Sequence, residues 1–133
     1  MSRAAVYTLV NNDATLDSIG LKKVFAFQAV DTPAAGDKPF VVIRWDVMDP
    51  GVVASRGAHI VTFWVYDVPA DYARIDSIIA RIKALMLGAV HIAGGDGVTL
   101  TLAEWTGDSE DLFDDVYSCV LRTTSFRVIS RPT

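Results

Sequence analysis

The sequence predicts an α+β fold: a mainly antiparallel β-sheet with one long helix packed on a face and a short N-terminal helix. Three observations carry that expectation. Residues 59–66 (HIVTFWVY) are almost all β-branched or aromatic, as suits a pleated surface. Residues 72–86 repeat apolar side chains at helical spacing. Strand-like segments outnumber helical ones, and the helices are separated rather than alternating with strands.

In chain order, residues 2–11 read as a short helix. Ser2 stands where a cap would, and Ala5, Val6, Leu9 and Val10 form one apolar stripe. Asn11-Asn12-Asp13 breaks it, and Leu16, Ile19 and Leu21 follow with Gly20 as a turn point, consistent with a second small helical turn on the core. Residues 22–30 (KKVFAFQAV) read as a first strand and residues 31–38, with Pro33 and Gly36, as a loop. Residues 40–48 read as a second strand. Val41, Ile43, Trp45 and Val47 occupy one face and Arg44 and Asp46 the other, which implies one buried face.

Residues 49–57 (DPGVVASRG) are long for a hairpin connection. Val52 and Val53 either fold back on the sheet edge or reach a neighbouring molecule. The strand at 59–66 has two largely apolar faces, Val61, Phe63 and Val65 against Ile60, Thr62, Trp64 and Tyr66, so both need cover. Asp67-Val68-Pro69 ends it. Asp67 is a candidate helix cap, and Asp71 places negative charge near the helix start. The stripe then runs through Tyr72, Ile75, Ile78, Ile79, Ile82, Leu85 and Met86, and Gly88 is a natural stop in the left-handed region. Residues 90–93 read as a short strand, 94–97 (GGDG) as a turn, 98–105 as a fourth strand and 116–129 as a fifth.

The length, 133 residues, corresponds to a single domain spanning 1–133 and to a self-sufficient core. No apolar run approaches the ~18–20 residues of a membrane span. No basic segment followed by an apolar one marks a secretory signal, so a cytoplasmic place of assembly is expected. An apolar content of 51% without a membrane segment points to surface buried between subunits. Net charge is −4 and the basic residues are scattered, the opposite of a surface that grips DNA.

Nothing in the sequence assembles into catalytic chemistry. His59 and His91 are the only histidines, Cys119 is the only cysteine, and all three read as structural, although a histidine close to Cys119 in space would make a pair. Residues 94–97 match neither a phosphate-binding loop nor a dinucleotide fingerprint. Residues 104–115 hold six acids and no base, and their spacing does not fit a calcium-binding loop. They read as the start of a short helix capped by Asp108 or Ser109, or as an acidic patch facing a partner. No cofactor, metal or catalytic residue is expected.

The block VTLTLAEWTGDSEDLFDDVY (98–117) combines a strand ending in Trp105, then Thr106-Gly107, Ser109, Asp111-Leu112, Asp114 and Tyr117. A last strand with Arg122 and Phe126 follows. This order resembles the tail terminator proteins of long-tailed bacteriophages, especially those of actinobacteriophages. The resemblance covers most of the chain as a pattern and is motif-like only from Trp105 to Tyr117.

It implies a virion structural protein, assembled in the host cytoplasm and sited at the tail near the neck. Six copies would form a ring on the last ring of the tail tube, end its polymerisation and meet the connector of the head. DNA would only pass through the lumen. A closed ring needs two unlike patches on each subunit. The candidate contacts are the loop around Val52, Val53 and Arg56 and the acidic segment around Asp111 and Asp114. Arg44, Arg122 and Arg127 are candidates to pair with those acids across subunits. Two rivals stand beside this reading: a neck or tail-completion protein of the head–tail joint, and a small-ligand or enzyme domain with a pocket of convergent polar groups.

Overall fold

The computed structural model describes residues 2–25, 38–47, 58–69, 72–116 and 118–132. Among these residues three helices, α1 (Arg3–Asn11), α2 (Ala14–Ile19) and α3 (Ala73–Leu87), accompany seven strands: β1 (Lys23–Phe25), β2 (Phe40–Val47), β3 (Ala58–Asp67), β4 (Ile92–Ala93), β5 (Val98–Asp108), β6 (Leu112–Asp114) and β7 (Cys119–Pro132). The class is α+β. The strand order is β1-β2-β3-β7-β5-β4, with β6 also paired to β7. The sheet is mixed: β1 runs parallel to β2, and every other described pairing is antiparallel.

The 14-residue strand β7 is the spine. It pairs with β3 along one edge from Val120 to Ile129. Along the other it pairs with β6 at Cys119–Leu121 and with β5 at Thr124–Pro132. Alternation along this ladder sorts the side chains. Val61, Phe63, Val65, Phe126, Val128 and Leu100 turn to one face, where α3 supplies Ile75, Ile78, Ile79, Ile82 and Met86. Phe63 and Phe126 meet edge-on at 5.8 Å. The stripe of α3 crosses β3, β7 and β5, and α1 and α2 close the side of the core with Ala5, Val6, Val10 and Leu16.

The other face of the sheet is not simply wet. Phe40 and Val42 of β2 are buried there with Tyr66, Cys119 and Leu121. Phe40 stacks on Tyr66 at 4.7 Å. The expectation of one buried face for β2 therefore holds only for its second half, where Arg44 and Asp46 are exposed. The neighbouring strands explain the difference. Phe40 and Val42 lie across from Tyr66 and Trp64, whereas Arg44 and Asp46 lie across from Thr62 and Ile60.

Local capping departs from the sequence reading at three points. Asp67 does not cap α3. Its carboxylate takes a two-bond fork from Arg74 at 2.6 and 2.5 Å and accepts from the Val68 amide, so the ion pair ties the strand end to the first turn of the helix. Gly88 closes α3 in the right-handed region, at φ −86°, and the left-handed cap falls instead on Gly20 after α2, at φ 117°. Ser2 makes no cap bond. Its buried hydroxyl accepts from Ser130 Oγ at 2.8 Å and fastens the start of α1 to the end of β7. The first strand is described only as Lys23–Phe25, and residues 26–30 lie outside the described residues.

Asp13 does two jobs. It caps α2 by accepting from the Leu16 amide at 2.9 Å, and it receives both Nε and Nη2 of Arg81 at 2.9 and 2.8 Å, which binds α2 to α3. The Arg81 hydrogen bonds hold the Asp13 carboxyl below its usual range, against the opposing effect of burial. Replacing Asp13 with Ala removes cap and fork together and is expected to cost about 2 kcal/mol in urea unfolding. Asn keeps much of the cap and is expected to cost about half as much. Because the folded-state pKa is depressed, the stability from the fork is present above the unfolded value and fades as pH falls through the folded one. The gap between wild type and Asp13→Asn should therefore close below about pH 4.

Candidate assembly surface

The fold separates the groups that could have made a reaction centre. His59 pairs across from Val128, near the far end of β7 from Cys119. Nine residues of strand part Val128 from Cys119, on the order of 30 Å. Glu104 lies opposite Arg127 on the sheet face away from α3, whereas His59 shares the face of Val61 and Phe63. His91 is exposed at the start of β4, where its amide bonds the Thr101 carbonyl. Cys119 is buried, and burial pushes its thiol pKa up, which disfavours the thiolate. A cavity of about 150 Å³ between α1 and β4 is lined by Ala5, Thr8, Leu9, Ile92, Ala93 and Gly94, without a titratable side chain. Among the described residues no three His, Cys, Asp or Glu side chains converge as a metal site, and no helix is long and apolar enough to cross a membrane.

What the structure builds instead is a charged seam along the β5–β6 side of the sheet. The acidic segment is not the start of a helix. After Asp108 the chain stays with β7: the Ser109 amide donates to the Thr123 carbonyl at 2.9 Å, and Ser109 Oγ accepts from the Thr123 amide at 2.9 Å. Leu112–Asp114 then pair with Cys119–Leu121 as β6. Both candidate caps are thus committed elsewhere, Ser109 to β7 and Asp108 to side chains around α3. Gly107, at φ 156°, sits at the register shift between Trp105 and Gly107 that turns the strand there.

Asp108 is the hinge of the seam. Lys83 of α3 donates to it at 2.6 Å, the Trp105 indole donates at 3.0 Å, and the Lys83 ammonium lies 4.7 Å from the Trp105 ring centre. Burial alone raises the Asp108 pKa, but the hydrogen bonds from Lys83 and Trp105 outweigh it and the carboxyl sits below its usual value. Arg122, on the α3 face of β7, gathers three acids from different elements. It donates to Asp76 of α3, and lies 3.9 Å from Asp108 and 3.6 Å from Asp111.

The residues proposed from sequence fall as follows. Arg122 and Asp111 meet within the chain. Arg127 pairs with Glu104 of the same chain at 3.2 Å. Arg44 is exposed and lies 5.1 Å over the ring of Trp64. Asp114 ends β6. Val52, Val53 and Arg56 lie outside the described residues, as do Asp71 and Tyr117.

The structure adds residues that sequence reasoning passed over. Trp105, Phe113 and Val116 are exposed on or beside the same side of the sheet, Phe113 by 57% and Val116 by 79%. The signal was present in two apolar residues standing among acids, and it was hidden by reading the segment as a helix start. That side is also open. β4 covers β5 only opposite Thr99 and Leu100, and among the described residues no strand lies beyond Leu102–Asp108. Among the described residues the opposite side ends on the three residues of β1.

No family model matches the chain, and no curated protein does. Among solved structures, the chain is similar to one from the virion of a native gene transfer agent particle, with a TM-score of 0.71 and 21% identity. The match covers 95% of this chain and 91% of the other, so the likeness extends over the whole fold.

Removing the centre of the seam tests its weight. Arg122→Ala leaves Asp76 and Asp111 without their cation and Asp108 with Lys83 alone, and is expected to cost about 2 kcal/mol. Arg122→Lys should recover less than half, because an ammonium cannot reproduce the guanidinium fork. The deficit should shrink in 1 M salt, roughly a 3 Å screening length. Urea midpoints at low and high salt read all three effects.

Proposed function

We propose that this chain is a virion structural protein that caps the tail tube of a long-tailed phage or phage-like particle as a ring, ending tube growth and joining the tail to the neck. The observation that carries the reading is a sheet that, among the described residues, is open and has two unlike edges. β5 and β6 at one edge are acidic and carry exposed apolar side chains, and β1 at the other follows Lys22 and begins with Lys23. A ring closes only if each subunit offers two different surfaces that fit head to tail, and this sheet offers two. Edges that a monomer would have to protect become contacts in such an assembly.

Three further features support the reading. The fold is shared over almost its whole length with a chain of a gene transfer agent virion. The order of residues from Trp105 to Tyr117 resembles that of tail terminators. The net charge of −4 suits a channel through which DNA passes without being held. In this function the partners are further copies of the chain, the tail tube subunit and the head–neck connector, and the chemistry is recognition rather than catalysis.

The test is to add the purified protein to growing tail tubes and measure their length distribution. Tubes should stop short, with growth falling as the ratio of protein to tube ends approaches one ring per end. Tubes that lengthen unchanged while the protein binds portal-bearing heads would move the assignment to a neck protein.

A further inference from the structure

Three of the five exposed large apolar side chains among the described residues, Trp105, Phe113 and Val116, belong to one edge of the sheet. The register places Trp105 opposite Phe126 and Phe113 opposite Val120, so both rings stand on the α3 face of the sheet, roughly 20 Å apart along β7. Phe113 belongs to a strand of only three residues, and Val116 to the turn after it. A short strand by itself protects an edge, but a large ring left exposed on it is what an anchor needs.

The charges around the anchor say what fits it. Glu110 and Asp115 flank Phe113 and Val116, are exposed, and enter no ion pair among the described residues. The nearby arginines do not answer them, since Arg122 serves Asp76, Asp108 and Asp111, and Arg127 serves Glu104. The answering cations lie on the β1–β2 side of the sheet. Arg3 and Lys22 are exposed and enter no ion pair among the described residues. Arg3 lies 5.9 Å over Trp45 of β2, and the Lys22 amide bonds the Pro39 carbonyl immediately before β1. The β5–β6 margin is therefore acidic and apolar, and Lys22 beside β1 and Arg3 over β2 put positive charge on the β1–β2 side.

We infer that β6 and its turn seat Phe113 and Val116 on the β1 edge of a second copy of this chain, with Glu110 and Asp115 facing Arg3 and Lys22 of that copy. The two surfaces lie at opposite edges of one sheet, so the contact is heterologous and repeats from copy to copy. The apolar pair supplies the hold, and the four charges fix the register and disfavour other pairings. The inference rests on the ring reading and gives its contact an anchor and a countercharge.

Sedimentation equilibrium of the full chain up to about 1 mM, a range that captures weak contacts, tests it. Phe113→Ser should weaken self-association about 30-fold, the usual scale for an aromatic anchor, and leave the thermal melt unchanged because the ring is exposed. Glu110→Lys with Asp115→Lys should weaken it about 10-fold, as should Arg3→Glu with Lys22→Glu. An equimolar mixture of these two double variants should associate as heterodimers with near wild-type strength, through the matched swapped edges. A wild-type chain that stays monomeric to 1 mM, or variants that associate like wild type, would overturn the contact. Rings that cap tubes in spite of all these substitutions would overturn it and leave the ring function standing. Association lost as expected in a protein that never touches tubes would do the reverse.

Discussion

Everything in this fold hangs on the double pairing of β7. Its 14 residues hold β3 on one side and β5 with β6 on the other, so one strand fixes the register of most of the sheet. A slip of one residue would send Phe126 and Val128 to the face away from α3 and bring Arg127 beneath the helix. The apolar stripe of α3 forbids that slip, because Ile75, Ile78, Ile82 and Met86 need an apolar floor. Helix and strand thus determine each other. The ion pairs at the rim, Asp67–Arg74, Asp13–Arg81 and Arg122 with its three acids, tie the helices to fixed points of that frame.

The same frame creates the surfaces on which function is read. Because β7 is central, β5 and β6 are left at one margin and β1 at the other. Charge is divided unevenly between them, with Glu110, Asp111, Asp114 and Asp115 at one margin and Arg3, Lys22 and Lys23 toward the other. An open sheet of this kind either hides its margins or uses them. The Asp108–Lys83–Trp105 cluster and the Arg122 seam stiffen the acidic margin from behind, so a partner would meet a surface already in place.

Much of this was legible in the sequence, and the failures share a cause. The stripe from Ile75 to Met86 and the alternation from Val61 to Val65 are local signals, and both elements appear where those signals put them. The small helix at Leu16 and the turn at Gly20 were local too. What local pattern could not reveal was set across the sheet. Residues 112–114 form a strand only because Cys119–Leu121 lie beside them, and acids after a Ser look the same before a helix as before a turn. Asp67 was read as a cap because it precedes a helix, but Arg74 in the first turn makes the stronger claim on it. The parallel pairing of β1 with β2 leaves no trace in either strand's composition. Within the chain Arg122 lies beside Asp111 and Arg127 beside Glu104, and Phe113 stands out only once β6 is seen as an edge.

The central claim is that this sheet is one segment of a closed ring seated at the end of a tube. Cryo-electron microscopy of tail tubes mixed with the protein tests it most directly. The account predicts a single closed ring at one tube end, with a central channel and the β5–β6 margin of each chain against the β1 margin of the next. Protein scattered along the tube wall, or density only on heads with bare tube ends, would contradict it.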